Sequence, residues 1–391
     1  VASPARLFTR GFTLVWTASL LYNAGFQLIG AALPLYAVSL GATDGQVGLL
    51  IGLFALAAMA GRTVVGWQLD RGSKRLVLVA GNLIFVASAL GYAAVTAVAP
   101  LLALRVLNGA GHAAGQAANQ TLATETAPPE RRGEALAMQL LTLSLSLATM
   151  PALGVAIAGA FGFPALFLVT AGLSLLAALV ALLCPEPPPP VVRSPAQFFN
   201  VAVIRPGLIL LALMIAFGAV VGLAAVHAAR VGLVNPGLFF LAYAGGLIVA
   251  QSFGGRLSDR RGRAAAILPG LALAALGMAA IALARAWWLL PAAALFGLGV
   301  GLAQSSLIAL AADYVPPARR GSAIATSGIF LEGGISAGAT AGGLIGQAAG
   351  LPAAFLALGL LPALALVALV ATGWGRRTLS PPTLVEPAAA R

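Results

Sequence analysis

Charged residues are scarce in this sequence. Asp, Glu, Lys and Arg make up 8% of its 391 residues, against about 25% in soluble domains. With 60% hydrophobic residues and a mean hydropathy of +1.00, that deficit excludes an ordinary soluble fold. Acidic side chains are scarcer still, ten against 22 Lys and Arg. The resulting net charge of +12 would suit a nucleic-acid binder, yet the basic residues come in short clusters between apolar runs, so no nucleic-acid partner is expected. A single cysteine, Cys184, precludes an internal disulfide and leaves the redox compartment open. The two histidines, His112 and His227, have no companion ligand at helical spacing, and no metal is expected. A Walker loop, a Ser/His/Asp set and paired carboxylates within the apolar runs are all missing, which argues against an ATP-driven pump and against a membrane hydrolase. Gly109-x-Gly111 and Gly297-x-Gly299-x-Gly301 look like nucleotide loops, but no strand precedes them and close helix packing accounts for them better. Asn119-Gln120-Thr121 matches a glycosylation acceptor yet falls inside an apolar run. No cleavable signal segment is visible, because the first apolar run extends well beyond a short signal core.

What the sequence does have is apolar runs long enough, at about 1.5 Å per residue, to cross a hydrocarbon core about 30 Å thick. Runs such as Leu76 to Ala94 and Leu351 to Val370 lack the alternation of barrel strands. The charged and Pro/Gly breaks predict an all-α membrane protein of twelve transmembrane helices, over 12–40, 46–69, 76–95, 99–124, 135–160, 164–183, 207–232, 237–257, 264–285, 289–313, 322–349 and 351–374. Lys and Arg are retained on the cytoplasmic side. With the N-terminus inside, all but four of the 22 basic residues share one face; Arg230 and Arg285 fall on the other, Arg62 and Arg105 within helices. A multi-pass protein of a bacterial inner membrane with both termini cytoplasmic is therefore expected.

The longest polar interval opens with Pro185-Glu186-Pro187-Pro188-Pro189-Pro190, a stiff extended spacer. It divides the chain into a six-helix bundle over 1–184, a cytoplasmic linker over 185–206, a second six-helix bundle over 207–375 and a cytoplasmic tail over 376–391. The halves repeat. Gly66-Trp67-Gln68-Leu69-Asp70-Arg71 returns as Gly255-Arg256-Leu257-Ser258-Asp259-Arg260, with Asp259 at an offset of 189 from Asp70. Pro128-Pro129-Glu130-Arg131-Arg132-Gly133 returns as Pro316-Pro317-Ala318-Arg319-Arg320-Gly321, with Gly321 at an offset of 188 from Gly133. Two motifs at almost one offset argue for duplication of a six-helix unit, an arrangement that many secondary transporters use around a central site.

These motifs resemble those of the major facilitator superfamily, and the resemblance covers nearly the whole chain. The family pattern Gly-x-Leu-x-Asp-Arg-x-Gly-Arg-Arg is met by the second copy, from Gly255 through Asp259 and Arg260 to Gly262 and Arg263. The first copy keeps Gly66, Asp70, Arg71, Lys74 and Arg75 but has Gly72-Ser73 where the family has x-Gly, so its turn is expected to differ. Gly66 permits close helix approach and Asp70 is placed to accept from a neighbouring helix N-terminus; a plain topology-setting turn is the other reading. The resemblance implies that this neighbour is the eleventh helix, making Gly66, Asp70, Arg71, Gly255, Asp259 and Arg260 a cytoplasmic latch.

In the fourth predicted helix, Arg105, Gly109, Gly111 and Gly115 resemble the family's Arg-x-x-x-Gly-x-Gly pattern. Arg105, His112 and Asn119 are spaced by seven, with Asn108 and Gln116 between them, so they share a face. An arginine in hydrocarbon costs at least about 2.5 kcal/mol, so that face must meet protein or water. Arg105 then either lines a solute or proton path or ties helices together through carbonyls. The resemblance places helices 1, 4, 7 and 10 around a central cavity, adding Asn23 and Gln27 to the path. Met150-Pro151-Ala152-Leu153-Gly154 partly resembles the Gly-Pro-x-x-Gly-Gly element of proton-driven exporters, with Met150 and Val155 in place of glycines.

The resemblance implies a secondary active transporter, not an enzyme, whose two bundles rock about a midplane cavity. It would move a small organic solute by proton-coupled efflux, as an antiporter. Proton-coupled uptake of an anionic metabolite, with Arg105 as counter-ion, is one alternative; a non-transporting receptor or an intramembrane enzyme on the same fold is another. The expected partners are a small-molecule substrate and the lipid bilayer. The protein is expected to act as a monomer, without a cofactor, on the proton gradient.

Glu332 is the only acidic residue deep within any predicted helix. It lies eleven residues past Gly321, about 16 Å in, and Arg62 lies eight residues before Asp70, about 12 Å from the same face. The resemblance implies that helices 2 and 11 pack together across the halves. Arg62 and Glu332 are therefore expected to pair in one access state and separate in the other. A carboxylate left without its cation in hydrocarbon is neutralised by a proton, which would couple proton binding to rocking. A static pair holding the halves in register is the alternative.

Overall fold

The computed structural model describes residues 7–186, 200–316 and 320–372. Most of the Pro-rich linker and the whole tail over 376–391 lie outside the described residues. Among those described, the regular structure is helical: α1 (Arg10–Leu28), α2 (Ala32–Ser39), α3 (Asp44–Arg71), α4 (Lys74–Ala94), α5 (Val98–Thr126), α6 (Arg132–Leu182), α7 (Ile204–Arg230), α8 (Leu238–Arg261), α9 (Ala264–Leu283), α10 (Leu289–Asp313), α11 (Arg320–Ala349) and α12 (Leu351–Ala371). Ten stretches are long and apolar enough to cross a membrane, α1 with α2 counting as one. The 29-residue α5 is not among them, because its polar stripe lowers its hydropathy. The 51-residue α6 is one of the ten yet has the length of two spans. Adding α5 and the second arm of α6 is consistent with twelve crossings.

One boundary departs from the sequence reading. The first run, predicted as continuous over 12–40, breaks between Leu28 and Ala32. Pro34 has no N–H to offer the carbonyl of Gly30 and its ring crowds that carbonyl, so the helix restarts there. The fifth and sixth runs, predicted as separate helices, are two helical arms divided at Gly162, where φ is 84° and the chain turns. A Cβ on Gly154 would lie 3.6 Å from Leu166 Cδ1, whereas twelve residues of straight helix would hold them about 18 Å apart. The two arms of α6 thus fold back on each other.

Within the first half, α1 packs on α6, α3 on α5, and α4 on both α5 and α6; within the second, α7 packs on α11, α10 on α8 and α9, and α12 on α9 and α7. The halves meet where α3 packs on α11 and α6 on α8, two contacts that the duplication makes equivalent. Their ends differ. At the end bearing Asp44 and Arg230, one apolar core runs through both halves, from Leu33 and Leu50 to Leu213 and Leu223. At the opposite, basic end, each half keeps its own core, around Phe12, Leu78 and Leu122 in the first and around Val203, Ala311 and Ala323 in the second. The molecule is therefore closed at the Asp44–Arg230 end, with separate cores at the basic end.

The closed end is held by backbone proximity and by charge. A Cβ on Gly48 of α3 would lie 2.9 Å from Gly343 Cα of α11, so only glycines allow this approach. Ser336 donates to Gly52 O at 2.9 Å. Arg230, the last residue of α7, donates from both terminal nitrogens to Asp44, the first residue of α3, at 2.7 and 2.6 Å.

The turns of the basic end account for the unequal motif copies. In the second copy Gly262 has φ 88°, and Arg263 behind it donates to Asp259 at 2.7 Å and to Asp313 of α10 at 2.8 Å. In the first copy the position equivalent to Gly262 is Ser73, with φ −74°, so no left-handed residue is needed there and serine is admissible. Ser73 caps α4 by accepting from Leu76 N at 3.1 Å. Glu186, at the start of the linker, accepts from the Ser73 hydroxyl and from Lys74 N at 2.8 Å, where a carboxylate is favoured by the helix dipole. The buried Lys74 ammonium pairs with Glu125 of α5 at 2.7 Å, the counterpart of Arg263 with Asp313 at offsets of 189 and 188. Gly262→Ala is expected to cost about 1–3 kcal/mol, because that backbone region is almost confined to glycine. A lowered melting temperature in detergent would register it, and an unchanged one would show that the turn relaxes freely.

Candidate functional site between the halves

Arg62 and Glu332 face each other across the boundary between halves. Arg62 Nη2 donates to Glu332 Oε1 at 2.6 Å and to Gln116 Oε1 of α5 at 3.3 Å. The approach depends on Gly328, one turn before Glu332, where a Cβ would lie 3.0 Å from Arg62 Nη1. The two partners are unequally covered: the Arg62 side chain is 39% exposed and that of Glu332 only 8%. The cation is thus partly open while the carboxylate is buried.

The polar stripe of α5 divides into two parts. Arg105 is buried, donating through Nε to Leu50 O of α3 at 3.2 Å and through Nη1 to Asn108 Oδ1 at 3.1 Å. Its guanidinium carbon lies 4.4 Å from the centroid of the Phe54 ring. These are the contacts of a tie between α5 and α3. His112, also buried, has Nδ1 at 2.7 Å from the Tyr22 hydroxyl and sits against Phe26 and Phe54, with ring centroids 4.5 and 5.2 Å away. Gln27 is buried near the end of α1, beside the break that follows it.

Toward the basic end the stripe opens onto a cavity of about 190 Å³ between α1, α5 and the first arm of α6, lined by Tyr22, Asn23, Gln116, Asn119, Gln120, Leu136, Gln139, Leu140 and Leu143. Of the predicted path residues, Asn23 and Gln116 line this cavity, while Arg105, Asn108, His112 and Gln27 do not. Asn23 donates to Thr142 Oγ1 at 2.9 Å, Asn119 Oδ1 is 2.7 Å from Ser19 Oγ, and Gln139 donates to Asn119 O at 3.3 Å. Gln120 and Gln139 were not singled out from sequence as solute-facing. A polar Gln139 among apolar neighbours was the available signal, as were the side-by-side amides of Asn119 and Gln120.

At the basic end, the two glycines of the predicted latch, Gly66 and Gly255, have no close neighbour. The Asp70 side chain lies outside the described ones. A Cβ on Gly66 or on Gly255 would meet nothing within 4 Å, so the close approach expected at Gly66 is absent; α3 and α11 instead meet nearer the other end, at Gly48. Arg71 stacks on Trp67 of its own helix at 4.9 Å, Arg260 is exposed, and Asp259 is held by Arg263. His227, with Nε2 3.0 Å from Ile281 O and its ring edge-on to Phe355, is a packing residue.

Known proteins share both the sequence features and the fold. The chain is 29% identical over 178 residues to a homolog of the multi-drug resistance efflux pump PmrA of Lactococcus lactis, covering 44% of each. It is 27% identical over 168 residues to an uncharacterised MFS-type transporter of Methanocaldococcus jannaschii, covering 43% of this chain and 44% of that one. The aligned stretches thus span less than half the length of these curated relatives. Among solved structures, a bacterial homolog of the human lysosomal transporter Spinster, inward-facing and occupied, superposes with a TM-score of 0.79 at 15% identity, over 95% of this chain and 98% of that one. The nucleoside transporter NupG follows the same fold, with a TM-score of 0.75 at 14% identity over 92% and 99%. Finally, the model of the Major Facilitator Superfamily matches residues 15–234 and again 231–390, and this chain, duplicated and all-helical, belongs to that superfamily of transporters and is not an enzyme.

Proposed function

We propose that the protein exports a small organic solute in exchange for protons, as a monomer in a bacterial inner membrane, with the basic end and both termini on the cytoplasmic side. The observation that carries this reading is the Arg62–Glu332 ion pair, which joins the halves with one partner partly exposed and the other buried. Rocking that closes the basic end must reposition α3 against α11, and so must change this pair. A buried carboxylate that loses its cation takes a proton instead of standing charged, so the two access states differ in proton occupancy. Gln116 bonds Arg62 and also lines the cavity, which brings solute and ion pair to a single side chain. The direction of transport is supported by the efflux pump PmrA of Streptococcus pneumoniae, 28% identical over 174 residues. Uptake of an anion through Arg105 finds no support in the geometry, since that guanidinium is already bound to Leu50 O and Asn108.

Glu332→Gln in proteoliposomes tests the reading. Counterflow of a screened substrate should persist, because the neutral amide still allows rocking, while accumulation driven by an imposed pH gradient should vanish. Uphill transport retained by this variant would leave the pair as a static register between the halves.

A further inference from the structure

The cavity beside α5 carries information about what the protein accepts. Its polar lining consists of amides and one phenol, Asn23, Gln116, Asn119, Gln120, Gln139 and Tyr22, with no ionised side chain among them. Asn119 is 4% exposed; one end of its amide is taken by Ser19, and the other end has no hydrogen-bond partner among the described residues. A buried amide left half-satisfied is costly, and it lies on the wall of a cavity. Opposite the amides stand leucines from α6, of which Leu136 and Leu140 are exposed. At about 190 Å³ the space is smaller than the roughly 300–1,000 Å³ of pockets that bury a drug-sized molecule.

Resting on the transport reading above, we infer that this cavity is a binding subsite for an uncharged solute, or the uncharged end of a larger one, that carries an amide or hydroxyl beside an apolar ring or chain. The polar group completes the bonding of Asn119 and engages Gln120 and Gln139, and the apolar part lies on Leu136 and Leu140. A carboxylate or ammonium of equal size gives up its hydration and meets no counter-charge there, so the subsite rejects it.

Three probes of similar size test this with the full chain in lipid nanodiscs: acetanilide, benzoate and benzylammonium, titrated by ligand-observed NMR. Acetanilide should bind saturably and at least about tenfold more tightly than either ion. Asn119→Leu should weaken acetanilide about tenfold. Gln120→Leu, at an exposed position where folding is not at stake, should weaken it severalfold. Equal binding of an ion, absent binding of acetanilide, or full acetanilide affinity in Gln120→Leu would overturn the subsite. Binding is read at equilibrium without a gradient and proton coupling by gradient-driven flux, so each reading fails on its own measurement.

Discussion

Arg105→Ala is expected to lower the yield of folded protein sharply, with transport falling in proportion. The side chain makes two charge-assisted hydrogen bonds, to Leu50 O and to Asn108 Oδ1, and a cation–π contact with Phe54. Losing a hydrogen bond to a charged group costs about 1.5–3 kcal/mol, and a desolvated cation–π contact adds about 0.5–2 kcal/mol. Removal also strands Asn108, 1% exposed, whose Nδ2 already lacks a partner among the described residues. Summed over both hydrogen bonds and the ring contact, the loss is on the order of 4–8 kcal/mol, above the usual range of about 0.5–3 kcal/mol for a point substitution. Arg105→Lys keeps the charge but not the planar fork that reaches Leu50 and Asn108 together, and should recover part of the loss. Monodispersity after detergent extraction, melting temperature and counterflow per folded molecule separate the readings. A variant with full yield and stability but no transport would move Arg105 from the tie between helices into the solute path.

That arginine shows how far a helical stripe is legible in sequence. Seven-residue spacing put Arg105, His112 and Asn119 on one face, yet a straight helix drifts by about 20° per heptad. The drift is small; what separates them is depth, since Gln116 and Asn119 lie about 16 and 21 Å along the axis from Arg105, far enough for Arg105 to meet α3 while they reach the cavity. Spacing reveals that a stripe exists; which neighbour each part meets depends on where α3 and α6 stand, and no local pattern encodes that. The Arg62–Glu332 pair was readable for the opposite reason. A rise of about 1.5 Å per residue makes every helix a ruler, and matching depths named the partner once the resemblance had implied that these two helices pack together.

The features missed depended on tertiary relations or on backbone detail. Arg230 looked like a stray basic residue on the outer face and Asp44 like a loop residue; their pairing requires knowing that α7 ends beside the start of α3. Pro34 marked the break after α1 and was passed over because the apolar run continues through it. Gly66 and Gly255 matched a family pattern that describes close approach, whereas in this structure the approach is made at Gly48 and Gly343. A sequence specifies both access states of a rocking carrier, and a single structure displays the contacts of one. The separate cores at the basic end and the shared core at the other identify which contacts belong to this state.

Asp44→Asn is accordingly expected to loosen the closed end. The ion pair it breaks joins the first residue of α3 to the last residue of α7 through two hydrogen bonds, but the Arg230 side chain is 48% exposed, which screens the interaction. Discounted for that exposure, it stabilises the closed end by on the order of 1 kcal/mol, and each 1.4 kcal/mol or so is a tenfold change in population. The remaining contacts, Gly48 on Gly343 and the shared core, keep closure possible, so the shift is several-fold and not absolute. Ile51→Cys provides the readout, since Ile51 is buried near the pair, against Gly222. The native thiol does not interfere: Cys184 is 1% exposed, and burial pushes its pKa up to about 11, leaving about one thiol in ten thousand ionised at neutral pH. An impermeant maleimide added from the Asp44 side should label Ile51→Cys several times faster once Asp44 is asparagine. Arg230→Gln should match it, because that variant breaks the same pair without touching the N-terminus of α3. If labelling stays slow in both, the apolar core alone closes this end and the ion pair is a surface ornament of the fold.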